Sequence, residues 1–145
     1  MASPSLRVEM AREAVRLEQA ARRIRRYAGG LRYHPVSGMA QLPGEAFETA
    51  LRSARGSLAQ VGGWVDDLGA AGERVRLLTQ QAGVALDVLA QALARPERVP
   101  LDAPYGLGSP RRPHPGAQAT WVAERAEELA RALARLAVIE ENASA

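Results

Sequence analysis

The chain contains no cysteine and no lysine, only two histidines, and a 4% share of aromatic residues. Without cysteine it cannot form a disulfide framework, a thiolate metal site or a cysteine nucleophile. Two histidines that lie far apart in sequence argue against a histidine-rich metal centre. The low aromatic content argues against a sugar-stacking cleft or a base-stacking nucleic-acid surface. The composition therefore excludes much of enzymology before any motif is considered.

The chain also lacks the short motifs that carry common chemistries, including Gly-x-Gly-x-x-Gly, the Walker loop, Gly-x-Ser-x-Gly and His-Glu-x-x-His. His34 and His114 lie beside prolines without a neighbouring carboxylate, which is typical of surface histidines. The adjacent carboxylates Asp66–Asp67 and Glu127–Glu128 would point about 100° apart on a helix, so neither pair converges on one ligand. We therefore predict that the protein is not an enzyme and binds no cofactor or metal ion.

Long apolar runs are absent as well. No stretch of about 18 apolar residues is present, so we expect no transmembrane segment. Residues 1–10 lack a basic region followed by an apolar run, so we predict no cleaved signal peptide. The expected location is the cytoplasm, or the outside of the cell by secretion without a cleaved signal peptide.

What the chain does contain is material for one helical domain. Its 145 residues are 47% hydrophobic, which is enough to bury a core. Segment 5–29 predicts a first helix, because six apolar residues recur at steps of four and three along one stripe. These residues are Met10, Ala14, Leu17, Ala21, Ile24 and Ala28. The glycines and prolines of segment 30–43 then predict a loop.

Segment 44–95 has the strongest pattern in the chain. Apolar or small residues alternate by four and three without a slip, which is the 3.5-residue repeat of a coiled coil. A continuous helix over this segment would span roughly 75 Å, whereas a compact domain of this size measures about 30–40 Å. We favour one long helix, continuous or mildly kinked, because the repeat runs through Gly62–Gly63 unchanged. A hairpin turn at those two glycines is the alternative.

The remaining segments predict a linker and a third helix. Segment 96–117 holds six of the nine prolines and resists helix formation. Segment 118–141 resumes a helical stripe and is expected to pack on the same domain. The predicted fold is all-α, an elongated helical hairpin or three-helix bundle with one long central helix and coiled-coil-like packing. A two-helix-thick rod leaves apolar surface uncovered, so a dimer would complete it.

This architecture predicts a non-enzymatic helical interaction protein, acting as an adaptor, chaperone or co-secreted partner. It would pair helices with a partner protein or with a second copy of itself. The candidate interface residues are the large members of the repeat and the tryptophan beside it. They are Phe47, Leu51, Leu58, Val61, Trp64, Val65, Leu68, Leu86, Leu89 and Leu93.

A cluster of arginines supplies the alternative function. Arg22, Arg23, Arg25 and Arg26 could bind phosphate groups of nucleic acid or of another anionic surface. Ile24, however, lies on the apolar stripe, so the arginines flank a buried seam and favour a solvated helix face. Nucleic-acid binding is therefore possible but not favoured. A structural subunit of a larger assembly is a third hypothesis.

This cysteine-free, alanine-rich helical chain, for which we predict no cleaved leader, resembles the WXG100/ESX superfamily of type VII secretion substrates and their longer EspC-like relatives. The resemblance covers about residues 5–95. It lies in the first helix, the loop end Leu42-Pro43-Gly44, Phe47 at the start of the next helix, and Trp64 within it. It implies pairing with a similar helical hairpin and export without a cleaved leader.

Two sequence motifs differ from the pattern of that superfamily. Trp64-Val65-Asp66 stands where the family has Trp-x-Gly. The family's export signal is Tyr-x-x-x-Asp/Glu, and Tyr27, Tyr33 and Tyr105 are all followed by other residue types at that spacing. A partner could carry the export signal instead.

Overall fold

The structure is a computed structural model that describes residues 4–34, 36–94 and 115–144, with side chains described as far as residue 139. These residues contain four α-helices: α1 (Pro4–Ala28), α2 (Glu45–Trp64), α3 (Glu73–Ala94) and α4 (Pro115–Ser144). A segment of 3-10 helix, Val65–Gly72, joins α2 to α3, and we call it the hinge segment. The predicted all-α fold class is confirmed.

The four helices form a bundle in which each helix packs against two neighbours. α4 lies between α1 and α3, and α2 completes the ring by contacting α1 and α3. The α1–α4 interface is the largest of the four, and the α2–α3 interface is the smallest. α1 and α4 are antiparallel, because Arg25 bonds Glu127 while Ala14 shares a groove with Ala134.

The core is built from leucine, valine and many alanines. All six residues of the first helical stripe are buried. Each large side chain removed from water contributes about 1.5–3 kcal/mol of hydrophobic stabilisation. The largest fully buried side chains are Phe47, Met10, Leu17, Ile24, Leu31, Leu89, Leu129, Leu133, Val61, Val75, Val122 and Pro115.

Segment 44–95 bends, which corrects its interpretation as one continuous α-helix. The bend is not at Gly62–Gly63, since both glycines lie inside α2. It is at Gly69, whose backbone angles are φ 61° and ψ −141°. A residue with a Cβ adopts this conformation only at considerable cost, so glycine is required here. Arg55 of α2 reaches Asp87 of α3 at 3.2 Å, which places α3 beside α2 after the bend.

The apolar repeat continues through the bend because the hinge segment buries the same positions that a helix would bury. Val65, Leu68 and Gly72 are all buried. Gly72 is needed for space, since a Cβ there would lie 2.7 Å from the Leu68 Cβ. The periodicity therefore indicates which residues are buried, and it is compatible with both a bent and a straight path of the chain.

The connection between α1 and α2 holds a small hairpin. Strands β1 (Arg32–Tyr33) and β2 (Ala40–Gln41) pair antiparallel. The backbone N–H of His34 donates to the Met39 carbonyl at 2.7 Å, and Gly38 adopts φ 70°. Strands of two residues are too short to produce a periodic pattern, which is why this connection was predicted as a plain loop.

α4 begins at Pro115, three residues earlier than the predicted third helix, and ends at Ser144. Proline suits the first position of a helix because its missing N–H would have no intrahelical acceptor there. Residues 96–114 of the predicted linker lie outside the described residues. Within the described part of the chain, no helix is both long enough and apolar enough to cross a membrane.

Candidate interaction surface

The ten residues that the heptad repeat assigned to a partner interface lie in or against the chain's own core. Phe47, Val61, Val65, Leu68, Leu86 and Leu89 are buried. Leu51, Leu58, Trp64 and Leu93 are half-buried and pack against the same core. In this structure they hold the chain's own helices together, and their part in pairing with a partner stays a prediction.

A different apolar surface lies on the outside of α3 and α4. It is a shallow groove of about 400 Å³, and we call it the tryptophan groove. Leu77 and Val84 of α3 leave 52% and 55% of their surface in solvent. Trp121 of α4 is half-buried and packs against the core. The complete lining is Leu77, Gln80, Gln81, Val84, Trp121 and Arg125.

The helical geometry of α3 explains why these side chains share one side. Leu77 and Val84 are seven residues apart, which is close to two helical turns. Gln80 and Gln81 lie between them, and residues 77–86 contain no charged residue. The groove thus offers apolar contact area with neutral hydrogen-bonding groups in the middle, and the α3 side contributes no charge that a partner would have to desolvate.

The one charge on the groove already has a partner. Arg125 donates from Nη1 to the Glu128 Oε2 at 3.0 Å, one turn along α4. Its side chain is 29% exposed. The guanidinium therefore borders the groove as part of an ion pair, and a helix lying in the groove would not need to neutralise it.

A second groove, which we call the alanine groove, lies between α1 and α4. Its volume is about 300 Å³, and it has a more polar character because Glu18, Arg22, Glu127 and Arg131 line it. The remaining lining residues are Ala14, Val15, Ala130 and Ala134. An apolar partner would have to cover four ionised side chains here, which makes this groove the poorer docking surface.

The arginine cluster is partly neutralised within the chain. Arg22 donates to the Glu18 Oε1 at 2.7 Å. Arg25 forms a bidentate pair with Glu127, with Nε at 3.1 Å from Oε1 and Nη2 at 2.9 Å from Oε2. The hydrogen bond to Glu127 and its negative charge raise the pKa of Arg25.

Arg23 and Arg26 are exposed and have no carboxylate partner among the described residues. The cluster thus presents two unpaired guanidinium groups rather than four. Anion binding by Arg22, Arg23, Arg25 and Arg26 stays a prediction.

The histidine and carboxylate candidates have structural roles. The His34 Nδ1 accepts hydrogen bonds from the backbone N–H groups of Val36 and Ser37 at 3.1 and 3.2 Å. Asp66 accepts from Arg76 at 2.8 Å and braces the hinge segment against α3. No group of three or more histidine, aspartate or glutamate side chains among the described residues could hold a metal ion. His114 lies outside the described residues.

The heptad repeat could not identify the tryptophan groove, because Leu77 and Val84 fall outside its stripe. The usable signal was a different one. In an amphipathic helix the residues opposite the stripe are usually charged, whereas residues 77–86 contain no charged side chain on any face.

Comparisons with protein-family models, with curated proteins and with solved structures give no match to this chain.

Proposed function

We propose that this protein is a non-enzymatic helical interaction protein that binds one helix of a partner protein along the tryptophan groove. The observation that carries the proposal is the exposure of Leu77 and Val84 beside Trp121. Large apolar side chains gathered in a groove lose contact with water when a partner covers them, which stabilises the complex.

The shape of the groove specifies the kind of partner. Two ridges, one from α3 and one from α4, leave a channel that suits an amphipathic helix with apolar residues three, four and seven positions apart. Trp121 is the expected anchor, since partly buried tryptophans contribute strongly to protein interfaces. Gln80 and Gln81 can donate to and accept from polar side chains at the edge of the partner helix.

The resemblance to the WXG100/ESX superfamily extends this proposal to type VII secretion. Trp64 is the last residue of α2 and lies five residues before the bend at Gly69. The tryptophan of the superfamily's Trp-x-Gly tripeptide stands at a helical hairpin, so the two tryptophans are near comparable turns of the chain. On this proposal the partner is another helical hairpin protein, and the chain acts in the cytoplasm or is secreted with its partner without a cleaved signal peptide.

The test is photo-crosslinking in cells with p-benzoyl-phenylalanine. The probe is placed at Leu77 in one variant and at Val84 in another, both on the exposed side of α3. Val36 is the matched control, because it is 89% exposed but lies in the turn of the small hairpin. We expect both groove positions to crosslink to the same helical segment of one partner protein, and the control position to miss it.

A companion variant separates binding from folding. Leu77→Asp together with Val84→Asp should abolish the crosslink made by a probe at Gln80 while leaving the thermal unfolding temperature nearly unchanged. Equal capture at Val36 and at the groove, or crosslinks only to a second copy of the chain, would contradict the proposed partner binding.

A further inference from the structure

Two observations on the hinge segment favour different backbone paths, one straight and one bent. The apolar repeat of 44–95 runs without a slip, as it would in one straight helix. The structure nevertheless bends the chain at Gly69, which lies outside the helical region of backbone angles. The apolar pattern is thus compatible with a straight path as well as with the observed bend, and the backbone angles of the hinge segment distinguish the two.

If the hinge segment became straight, α1 and α2 would separate from α3 and α4 of the same chain. The four-helix bundle could still form if a second copy supplied the separated pair of helices. The contacts of α1 with α2 and of α3 with α4 stay within one chain whether the hinge is bent or straight. The α1–α4 and α2–α3 interfaces, together with the smaller contacts of β1 with α4 and of β2 with α3, depend on the bend, and a second copy can restore them by symmetry. An exchanged dimer would therefore restore the helix–helix contacts of the bent monomer.

We propose that two copies of this chain open at the hinge segment and exchange their α3–α4 halves. In the exchanged dimer, residues 45–94 form one continuous helix of about 75 Å. The occupant of each open half is a second copy of this chain, since it alone carries the matching surfaces of α1, α2, α3 and α4. This inference is independent of the partner binding proposed above.

Two glycines in the hinge segment favour the bent monomer. Gly69 has φ 61°, where any side chain would strain the backbone, although nothing lies within 4 Å of its added Cβ. Gly72 has ordinary backbone angles but no room, because its Cβ would meet the Leu68 Cβ at 2.7 Å. A straight helix relieves both problems, since it needs neither the unusual φ nor the close approach.

The first experiment measures dimerisation of the whole chain by light scattering and sedimentation. Gly69→Ala penalises the bend and should raise the dimer association constant at least ~10-fold over the unsubstituted chain. Gly63→Ala is the matched control, because Gly63 lies inside α2 with nothing within 4 Å of its added Cβ. A Gly69→Ala variant that stays monomeric at every concentration overturns the proposal.

The second experiment does not depend on how well that variant folds. Arg55→Cys and Asp87→Cys add the only two thiols to a cysteine-free chain, and spin labels on them report the distance between α2 and α3. These positions are joined at 3.2 Å when the hinge is bent, but they lie 32 residues apart, or ~48 Å, along a straight helix.

The labelled chain is unfolded, refolded with excess unlabelled chain, and separated into monomer and dimer. Exchange predicts that the short distance between the two labels persists in the monomer and disappears from the dimer. In the exchanged dimer the two labels of one chain lie far apart on a straight helix, and the positions beside them belong to an unlabelled copy. A dimer that keeps the short distance, or the absence of any dimer at high concentration, overturns the proposal. Leu77→Asp serves as a further control, because it should leave the exchanged dimer intact.

Discussion

Leu77 and Leu78 are neighbours in sequence with opposite surroundings. Leu77 is 52% exposed in the tryptophan groove, whereas Leu78 is 4% exposed in the core. The two side chains are identical, and successive residues of a helix simply point about 100° apart. The two leucines show that the apolar residues of α3 divide between an inner face, which is buried in the core, and an outer face, which leaves apolar surface in solvent.

The same division continues along α3. Val75, Ala82 and Leu89 are buried on the inner face, while Val84 is 55% exposed on the outer face. Burial explains the inner residues, because each one removes apolar surface from water on folding. It explains Leu77 and Val84 only in part, because about half of each residue's surface stays in solvent after folding. Their presence is the reason for proposing a partner helix.

The largest expected difference is between alanine substitutions at the two leucines. Leu78→Ala removes a buried side chain and leaves a cavity, so it should lower the free energy of unfolding by about 2–5 kcal/mol. Leu77→Ala should change it by no more than about 0.5 kcal/mol. Urea unfolding followed by circular dichroism measures both values. Similar losses at the two positions would show that the outer face also contributes to folding.

A smaller difference in the free energy of unfolding is expected between alanine substitutions at Gly83, inside α3, and at Gly72, at the end of the hinge segment. Gly83→Ala adds a Cβ with nothing within 4 Å inside α3, so it should raise the free energy of unfolding by about 0.5–1 kcal/mol. Gly72→Ala should lower it, since the added Cβ meets Leu68. Thermal unfolding of the two variants, recorded at low concentration, gives the sign of each change. A loss at Gly83 would indicate a close neighbour on that side of α3.

The smallest effects are expected for the ion pairs of α1. Arg25 and Glu127 are 45% and 24% exposed, whereas Arg22 and Glu18 are 76% and 52% exposed. A double-mutant cycle to alanine should give a coupling of about 0.5 kcal/mol for the bidentate Arg25–Glu127 pair. The Arg22–Glu18 coupling should be weaker, and both should decrease with added salt. A stronger coupling for the exposed pair would contradict the arrangement of α1 against α4.

Much of the fold could be predicted from local patterns. The stripe that begins at Met10 marked the buried face of α1, and the repeat from Phe47 to Leu89 marked the residues that enter the core. Both patterns follow from the 3.6-residue period of the helix, which any long amphipathic segment must obey. The boundaries of α1 differed from prediction by only one residue at each end. The C-terminal boundary was predictable because glycines end a helix through their local backbone preference.

The bend and the groove could not be predicted in the same way. Five glycines lie between residues 56 and 72, and local propensity treats them alike. Only the packing of α3 beside α2 selects Gly69 for an unusual φ and Gly72 for a close approach. The tryptophan groove joins Leu77 to Trp121, and no local pattern relates residues on two helices so far apart in sequence.

The amino-acid sequence by itself determined that the chain is all-α, which residues are apolar enough to enter a core, and which chemistries its composition excludes. The tertiary structure decided where the long segment bends, which apolar side chains remain outside, and which arginines have carboxylate partners. The physical reason is that helical period and composition act over a few residues, whereas burial, ion pairing and the choice of a bend depend on helices brought together from distant parts of the chain.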